Sequence, residues 1–283
     1  MWNLGDGKCT NVFSGFTDTI HYLKIMPNGD QVCLTKDRSL IKLWSFHGQG
    51  MIKCLRFLRG HADFVVCMVF SHLGDLIVSG SSDRTIKIWN FDDGTCLKTM
   101  EGHDSCVLCL EIMHSGEHLI SGSRDFTIKI WCLIRGECIK TLGQQTNFNW
   151  ISLVLIVSND EILSCSGDQL NLWNVKNEKC IQTMDVFGVN TGISNIVLIC
   201  QNEFICTARK NVIQIWSMKM NGHLVNEMKG HTNFVSHLLE LPHGELLSGS
   251  WDRTIKIWDT KRGCCLKTLK GHTGWTSFLL KGN

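Results

Sequence analysis

Proline is almost missing from this chain, with two among 283 residues. Hydrophobic residues make up 43% and charged residues 19%, so no stretch has the composition of a disordered linker, and the chain is expected to fold end to end. Runs of like charge are missing too. The formal net charge is +2 and the isoelectric point is near 7.9. That balance favours neither nucleic acid nor an anionic membrane, and partner choice has to come from local patches. No apolar stretch approaches the roughly eighteen residues of a membrane-spanning helix. The opening Met1-Trp2-Asn3-Leu4-Gly5-Asp6 lacks the basic start and apolar core of a secretion signal. Secretion and membrane insertion are therefore not expected. Also missing are the Gly-x-x-x-x-Gly-Lys-Ser/Thr phosphate loop, the His-Glu-x-x-His helix and the nucleophile elbow. Cys106-Val107-Leu108-Cys109 is a lone Cys-x-x-Cys with no second pair at zinc-ribbon spacing, so it reads as core. No metal, cofactor or enzymatic activity is expected.

Two residue types are plentiful. Of fifteen cysteines, Cys9, Cys96, Cys138, Cys180 and Cys265 each lie seven residues after a tryptophan. Residues that return once per repeat sit in separate units, too far apart to pair. They are read as small buried hydrophobes in a reducing compartment, cytoplasmic or nuclear. The tryptophans Trp2, Trp44, Trp89, Trp131, Trp173, Trp216 and Trp258 are spaced by 42, 45, 42, 42, 43 and 42 residues. Such a period marks an internal repeat. Ser-Ser-Asp-Arg-Thr-Ile-Lys-Ile-Trp ends at Trp89, Ser-Arg-Asp-Phe-Thr-Ile-Lys-Ile-Trp at Trp131 and Ser-Trp-Asp-Arg-Thr-Ile-Lys-Ile-Trp at Trp258. Upstream stand Gly60-His61, Gly102-His103 and Gly230-His231. Within one repeat, alternation such as Ile86, Ile88 and turn chemistry such as Asp92-Asp93-Gly94 predict four short strands and no helix. One four-stranded sheet cannot bury both faces alone, so the repeats must pack face to face, and radial packing gives a propeller.

These motifs resemble the WD-repeat family over essentially the whole chain, most specifically in three repeats. The dipeptide itself occurs as Trp258-Asp259 and drifts to Asn90, Cys132, Asn174, Ser45 or Ser217 elsewhere. The resemblance implies an all-β, seven-bladed propeller plan forming one domain over 1–283. Blades are expected at about 14–58, 59–100, 101–142, 143–184, 185–228 and 229–270, with a split blade from 1–13 and 271–283. By the His231 to Trp258 spacing of 27, the repeat opened by Gly271-His272 needs a tryptophan near position 299, past Asn283. The chain is therefore expected to be a piece of a longer one, with six complete blades and an incomplete seventh. The resemblance further implies a hydrogen-bonded set in each strong blade: His61, Ser79, Asp83 and Trp89; His103, Ser121, Asp125 and Trp131; His231, Ser248, Asp252 and Trp258. Although these types match a hydrolase triad, a set that recurs three times and ends on an indole donor reads as structural. In the weaker repeats Asn147, Val189 and Phe16 replace the histidine, and Cys206 and Lys210 replace the serine and aspartate of the repeat ending at Trp216. The repeats ending at Trp216 and Trp44 are expected to hold by packing alone and to open sooner, and the network of the repeat ending at Trp173, with Asp168 five residues before it, is expected to be incomplete.

Function in repeat folds lies in loops and rims, because core positions are committed to stacking. Removing the seven repeat tryptophans from the ten leaves Trp150, Trp251 and Trp275. The residues just before each first strand are Thr19, Phe64, Cys106, Trp150, Gly192, Phe234 and Trp275. Trp251 immediately precedes the turn aspartate Asp252, where other repeats have Ser82, Arg124, Gly167 and Arg209. Phe64, Trp150, Phe234, Trp251 and Trp275 with Arg84, Arg124 and Arg253 are thus expected at one end of the propeller. There they either bind a protein or peptide or merely line the blade tops. The leading expectation is a non-enzymatic scaffold or adaptor. The alternative is the substrate-recognition module of a ubiquitin ligase reading acidic or phosphorylated motifs, with Arg38 as a further contributor. Neither nucleic acid nor a membrane is expected as partner.

Overall fold

The computed structural model describes residues 6, 8, 9, 20–25, 31–47, 51–143, 149–186, 193–219, 222–241 and 244–276. Within them, six four-stranded antiparallel sheets follow the chain as simple meanders, as expected for the blades of a WD-repeat propeller. Sheet one comprises Ile20–Ile25, Gln31–Asp37, Leu40–His47 and Met51–Leu58, and sheet two Val65–Phe70, Leu76–Ser81, Ile86–Asn90 and Cys96–Met100. Sheet three comprises Val107–Ile112, His118–Ser123, Ile128–Cys132 and Glu137–Leu142, and sheet four Ile151–Ile156, Glu161–Ser166, Gln169–Asn174 and Lys179–Asp185. Sheet five comprises Asn195–Ile199, Phe204–Arg209, Val212–Ser217 and His223–Lys229, and sheet six Val235–Glu240, Glu245–Ser250, Thr254–Asp259 and Cys264–Lys270. No helix among the described residues is long and apolar enough to cross a membrane.

The chain divides into two compact units, one of residues 15–183 and one of 1–14 with 184–283. In the first unit, successive sheets share apolar interfaces. Leu34, Ile41 and Leu58 of sheet one meet Val65, Ile77 and Trp89 of sheet two. Val78, Ile86 and Ile88 of sheet two meet Leu110, Leu119 and Trp131 of sheet three, and Ile120, Ile128 and Ile130 of sheet three meet Ile151, Ile162 and Trp173 of sheet four. In the second unit, Ile213 and Ile215 of sheet five meet Val235, Leu246 and Trp258 of sheet six. Trp89, Trp131, Trp173 and Trp258 are therefore the plugs that their sheets present to the sheet before. A buried indole of this kind removes about 150–250 Å² from water.

The fourth strands reverse the expected burial of the repeated cysteines. Cys96, Cys138, Cys180 and Cys265 are exposed, as is Cys9. The cause is a bulge at the sheet edge. Trp131 pairs with Cys138 while Ile130 pairs with Lys140, so Ile139 is an extra residue, and the same shift occurs at Cys96 and Cys265. The thiol turns outward and donates to the carbonyl two residues on, at 3.3 Å from Cys138 to Lys140. The long side chain after the bulge reaches the next sheet. Arg56 Nε donates to Phe91 O at 3.3 Å, and Lys140 Nζ donates to Val175 O at 2.8 Å and Lys176 O at 3.0 Å. These contacts tie the outer strand of one sheet to the last hairpin of its neighbour.

Toward the inner strands the approach is closer. A Cβ placed on Gly80 of sheet two would lie 2.6 Å from Val107 Cγ1 of sheet three and 2.8 Å from Cys67 Sγ. Both neighbours belong to packed inner strands that cannot yield cheaply. Gly80→Ala is predicted to lower unfolding stability by about 1–3 kcal/mol through overpacking; urea denaturation with an unchanged midpoint would show that the two sheets are not in this contact.

Candidate functional site

The tight turn between second and third strands organises the end of each strong repeat. In sheet two, Trp89 Nε1 donates to Ser79 Oγ at 2.8 Å, Ser79 Oγ lies 2.7 Å from His61 Nε2, and His61 Nδ1 lies 2.8 Å from Asp83 Oδ2. An indole N–H can only donate, so Ser79 accepts from Trp89 and passes its own hydrogen to Nε2. His61 then carries its hydrogen on Nδ1, facing the carboxylate. The ring is neutral in this arrangement. Asp83 also accepts from Ala62 N at 2.9 Å and from Thr85 N and Oγ1 at 2.9 and 2.7 Å, which pins the turn to the loop before the first strand. Sheets three and six repeat the set as Trp131, Ser121, His103, Asp125 and Trp258, Ser248, His231, Asp252, with each bond at 2.7 or 2.8 Å. A serine whose oxygen accepts from a buried indole and whose hydrogen is held by a histidine is a strut; the arrangement offers no nucleophile to a substrate.

The electrostatics follow from burial. Desolvation lowers the His61 and His231 imidazoles below the usual value, outweighing the hydrogen bond and charge of Asp83 and Asp252. For the aspartates, burial raises the carboxyl, but hydrogen bonds from Thr85, Ala62 and His61 hold Asp83 at about 2, and Thr254, His231 and Thr232 hold Asp252 at about 2. Asp125 lies well below the ordinary carboxylate range: burial opposes the shift, and His103 and Thr127 together outweigh it.

The weaker repeats keep more than expected. Trp44 donates to Thr35 Oγ1 at 2.9 Å, Trp173 to Ser164 Oγ at 2.8 Å and Trp216 to Thr207 Oγ1 at 3.0 Å. Thr207, not Cys206, is the acceptor in sheet five, so these blades do not rely on packing alone. In sheets one, four and five the second and third strands close on two-residue turns, with Asp37 opposite Leu40, Ser166 opposite Gln169 and Arg209 opposite Val212. Sheet two instead closes beyond Gly80 and Ile86. The shorter turn moves the hydroxyl to nine residues before the indole instead of ten, a shift visible in the sequence once turn length is considered. Phe16, Asn147 and Val189 lie outside the described residues, as do Thr19 and Gly192 of the expected rim.

The tryptophans outside the repeat form pairs. Only the first of these pairs joins two described sheets: in the first unit Arg124, before the turn aspartate of sheet three, lies with its guanidinium carbon 4.0 Å from the ring centre of Trp150, before sheet four. At the same two positions in the second unit, Trp251 and Trp275 stack at 4.5 Å with an interplanar angle of 11°, and Phe234 lies 5.3 Å from Trp251. All stay open to solvent: Trp150 is 51% exposed, Trp275 63%, Trp251 37%, Phe234 41% and Phe64 56%. Arg84 and Arg253 occupy left-handed turn positions with φ of 71° and 68°, as does Arg38 at 52°. Among the described residues Arg124 has no carboxylate partner.

The family model described as "WD domain, G-beta repeat" matches residues 52–90, 94–132 and 222–259. The chain carries WD repeats. This WD-repeat chain is 26% identical over 126 residues to the DENN domain and WD repeat-containing protein SCD1 of Arabidopsis thaliana, covering 44% of the chain and 10% of that protein. It is 30% identical over 92 residues to the probable coatomer subunit beta' of Schizosaccharomyces pombe, covering 32% and 11%. It is 33% identical over 85 residues to the Cell division control protein 4 of Saccharomyces cerevisiae, covering 30% and 11%. The match thus spans about a tenth of each of these relatives.

Two outcomes are expected. Asp125→Ala strands the donors of His103 and Thr127 and should cost roughly 1–3 kcal/mol in chemical denaturation; a change within error would mean the network adds nothing. Because the fold depresses both residue types, unfolding takes up protons. The contribution of His61 and His231 is complete above about pH 6.5 and is lost below it, and that of Asp83 and Asp252 is lost between about 4 and 2. In a Glu111→Gln variant, which removes a buried carboxyl raised to about 7 that titrates in the opposite sense, unfolding free energy should therefore fall as pH drops from 7.5 to 5; a flat profile over that range would contradict neutral, buried imidazoles.

Proposed function

We propose that this WD-repeat chain is a non-enzymatic platform that engages a protein or peptide, with one recognition surface in the loops carrying Phe64, Arg84, Arg124 and Trp150 of one unit and a separate one in the loops carrying Phe234, Trp251, Arg253 and Trp275 of the other. The observation that carries the reading is the stacking of Arg124 on Trp150. It holds a guanidinium with its ring face occupied and its N–H edge open, so little side-chain entropy remains to be lost on binding. Aromatic and arginine side chains are also the types that dominate interface energetics. The open edge of Arg124 favours one narrower reading, recognition of acidic or phosphorylated motifs, which a substrate-recognition module of a ubiquitin ligase would require. A cytoplasmic or nuclear, reducing setting suits a chain with thiols exposed at Cys96, Cys138, Cys180 and Cys265.

Affinity capture compares the wild type with Arg124→Ala, Trp150→Ala, with folding verified by circular dichroism. The double variant is expected to lose captured partners by at least tenfold, about 1.4 kcal/mol. Equal retention would exclude this rim as the binding surface. Arg124→Lys separates the two readings. Lysine keeps the charge but not the planar bidentate edge, so an acidic-motif site should weaken severalfold and a purely aromatic one should not.

A further inference from the structure

Each repeat tryptophan of the six described sheets has its indole N–H satisfied by a hydroxyl. Trp251 and Trp275 do not: neither indole N–H has an acceptor among the described residues. They stand in an exposed ladder with Phe234, stepped at 5.3 and 4.5 Å. The backbone beneath the ladder is already engaged. Phe234 N–H donates to Asn233 Oδ1 at 2.8 Å, Trp251 N–H to Phe234 O at 2.9 Å, Asp252 N–H to Ser250 Oγ at 3.1 Å and Thr276 N–H to Ser250 O at 3.2 Å. A partner therefore finds no strand edge to extend here, and three rings standing side by side make a ridge instead of a groove for a helix. What the ridge offers is flat aromatic surface and two isolated N–H donors.

One backbone form suits that offer. A polyproline II segment has no internal hydrogen bonds, so its carbonyls need outside donors. It is largely ordered before binding, and its ring faces repeat every ~9 Å along one side, about the combined length of the ladder's two steps. The charge around the ladder is positive. Arg253 follows the turn aspartate directly, and the Lys210 carbonyl accepts Val235 N–H at 2.6 Å, which sets Lys210 beside Phe234. The only carboxylate in the same turn, Asp252, is consumed by His231, Thr232 and Thr254. Acidic residues flanking the prolines would meet Arg253 and Lys210 without competition from Asp252.

We propose that the Phe234–Trp251–Trp275 ladder is a docking ridge for a proline-rich, extended segment with acidic flanks. The proposal rests on the interaction-platform reading and names its partner class for this unit.

The test is a titration of the full chain, followed by tryptophan fluorescence and calorimetry, with a synthetic hexaproline peptide flanked on both sides by two glutamates. Saturable binding is expected, at least tenfold weaker for Trp275→Ala. Trp275→Phe should lie between the two, because it keeps the ring and loses the indole donor. A peptide with lysine flanks should bind several times more weakly than the acidic one. Equal binding of a peptide with alanines in place of the prolines overturns the proposal, as does an unchanged affinity in Trp275→Ala. So does wild-type chain that ignores the proline peptide while binding a thymidine oligonucleotide, since rings flanked by cations would then serve stacked bases. The platform reading fails separately, in the Arg124 and Trp150 capture experiment, which involves neither this ladder nor this peptide.

Discussion

Every described sheet is pinned by one bond from an indole N–H on its third strand to a hydroxyl on its second. In sheets two, three, four and six the indole that makes the bond also plugs the interface with the preceding sheet. Orientation and burial therefore depend on each other: the hydroxyl fixes the ring, and the ring fills the space between sheets. Where a histidine and an aspartate extend the bond, as at His61 and Asp83, the pin also reaches the loop before the first strand and the turn before the third. The loops at that end of sheets two, three and six thus rest on a rigid base, which is what a recognition surface needs from its scaffold.

That constraint explains why the residues that differ between repeats gather where they do. Positions inside the pin admit serine or threonine as acceptor and nothing larger. The residue before the turn aspartate and the residue before the next sheet's first strand point clear of it. They carry Ser82 with Cys106 and Arg124 with Trp150, whose side chains meet across the gap between sheets, and Trp251 with Trp275, which stack where the chain leaves sheet six. One backbone arrangement holds a weak thiol contact, a cation on an aromatic face and an aromatic stack. Chemistry varies at these pairs while the fold beneath does not, which is the ground for proposing them as the partner surface.

Much of the fold was legible from the tryptophan period and the Gly-His and Ser-x-Asp spacings, since these encode strand length and turn chemistry directly. What escaped were effects of one residue. Cysteine at the fourth-strand position looks like a buried small hydrophobe until the bulge beside Trp131 turns Cys138 outward. The acceptor for Trp216 looks lost at Cys206 until a two-residue turn moves the job to Thr207. The extra tryptophans could be set apart by subtraction. Their pairing with Arg124 and with each other could not, because it joins positions 24 to 26 residues apart.

The proposed platform divides labour between tryptophans that hold the fold and tryptophans that meet a partner. Trp131→Phe and Trp150→Phe separate the two roles when compared in the same two assays, unfolding free energy and partner affinity. Trp131→Phe should lose about 1–3 kcal/mol of stability by stranding Ser121 and leaving space at the sheet interface, while the folded fraction keeps its affinity. Trp150→Phe should leave stability within about 0.5 kcal/mol, as for an exposed site, and weaken the partner. A Trp150→Phe protein as destabilised as Trp131→Phe, or a folded Trp131→Phe protein that no longer binds, would contradict the division.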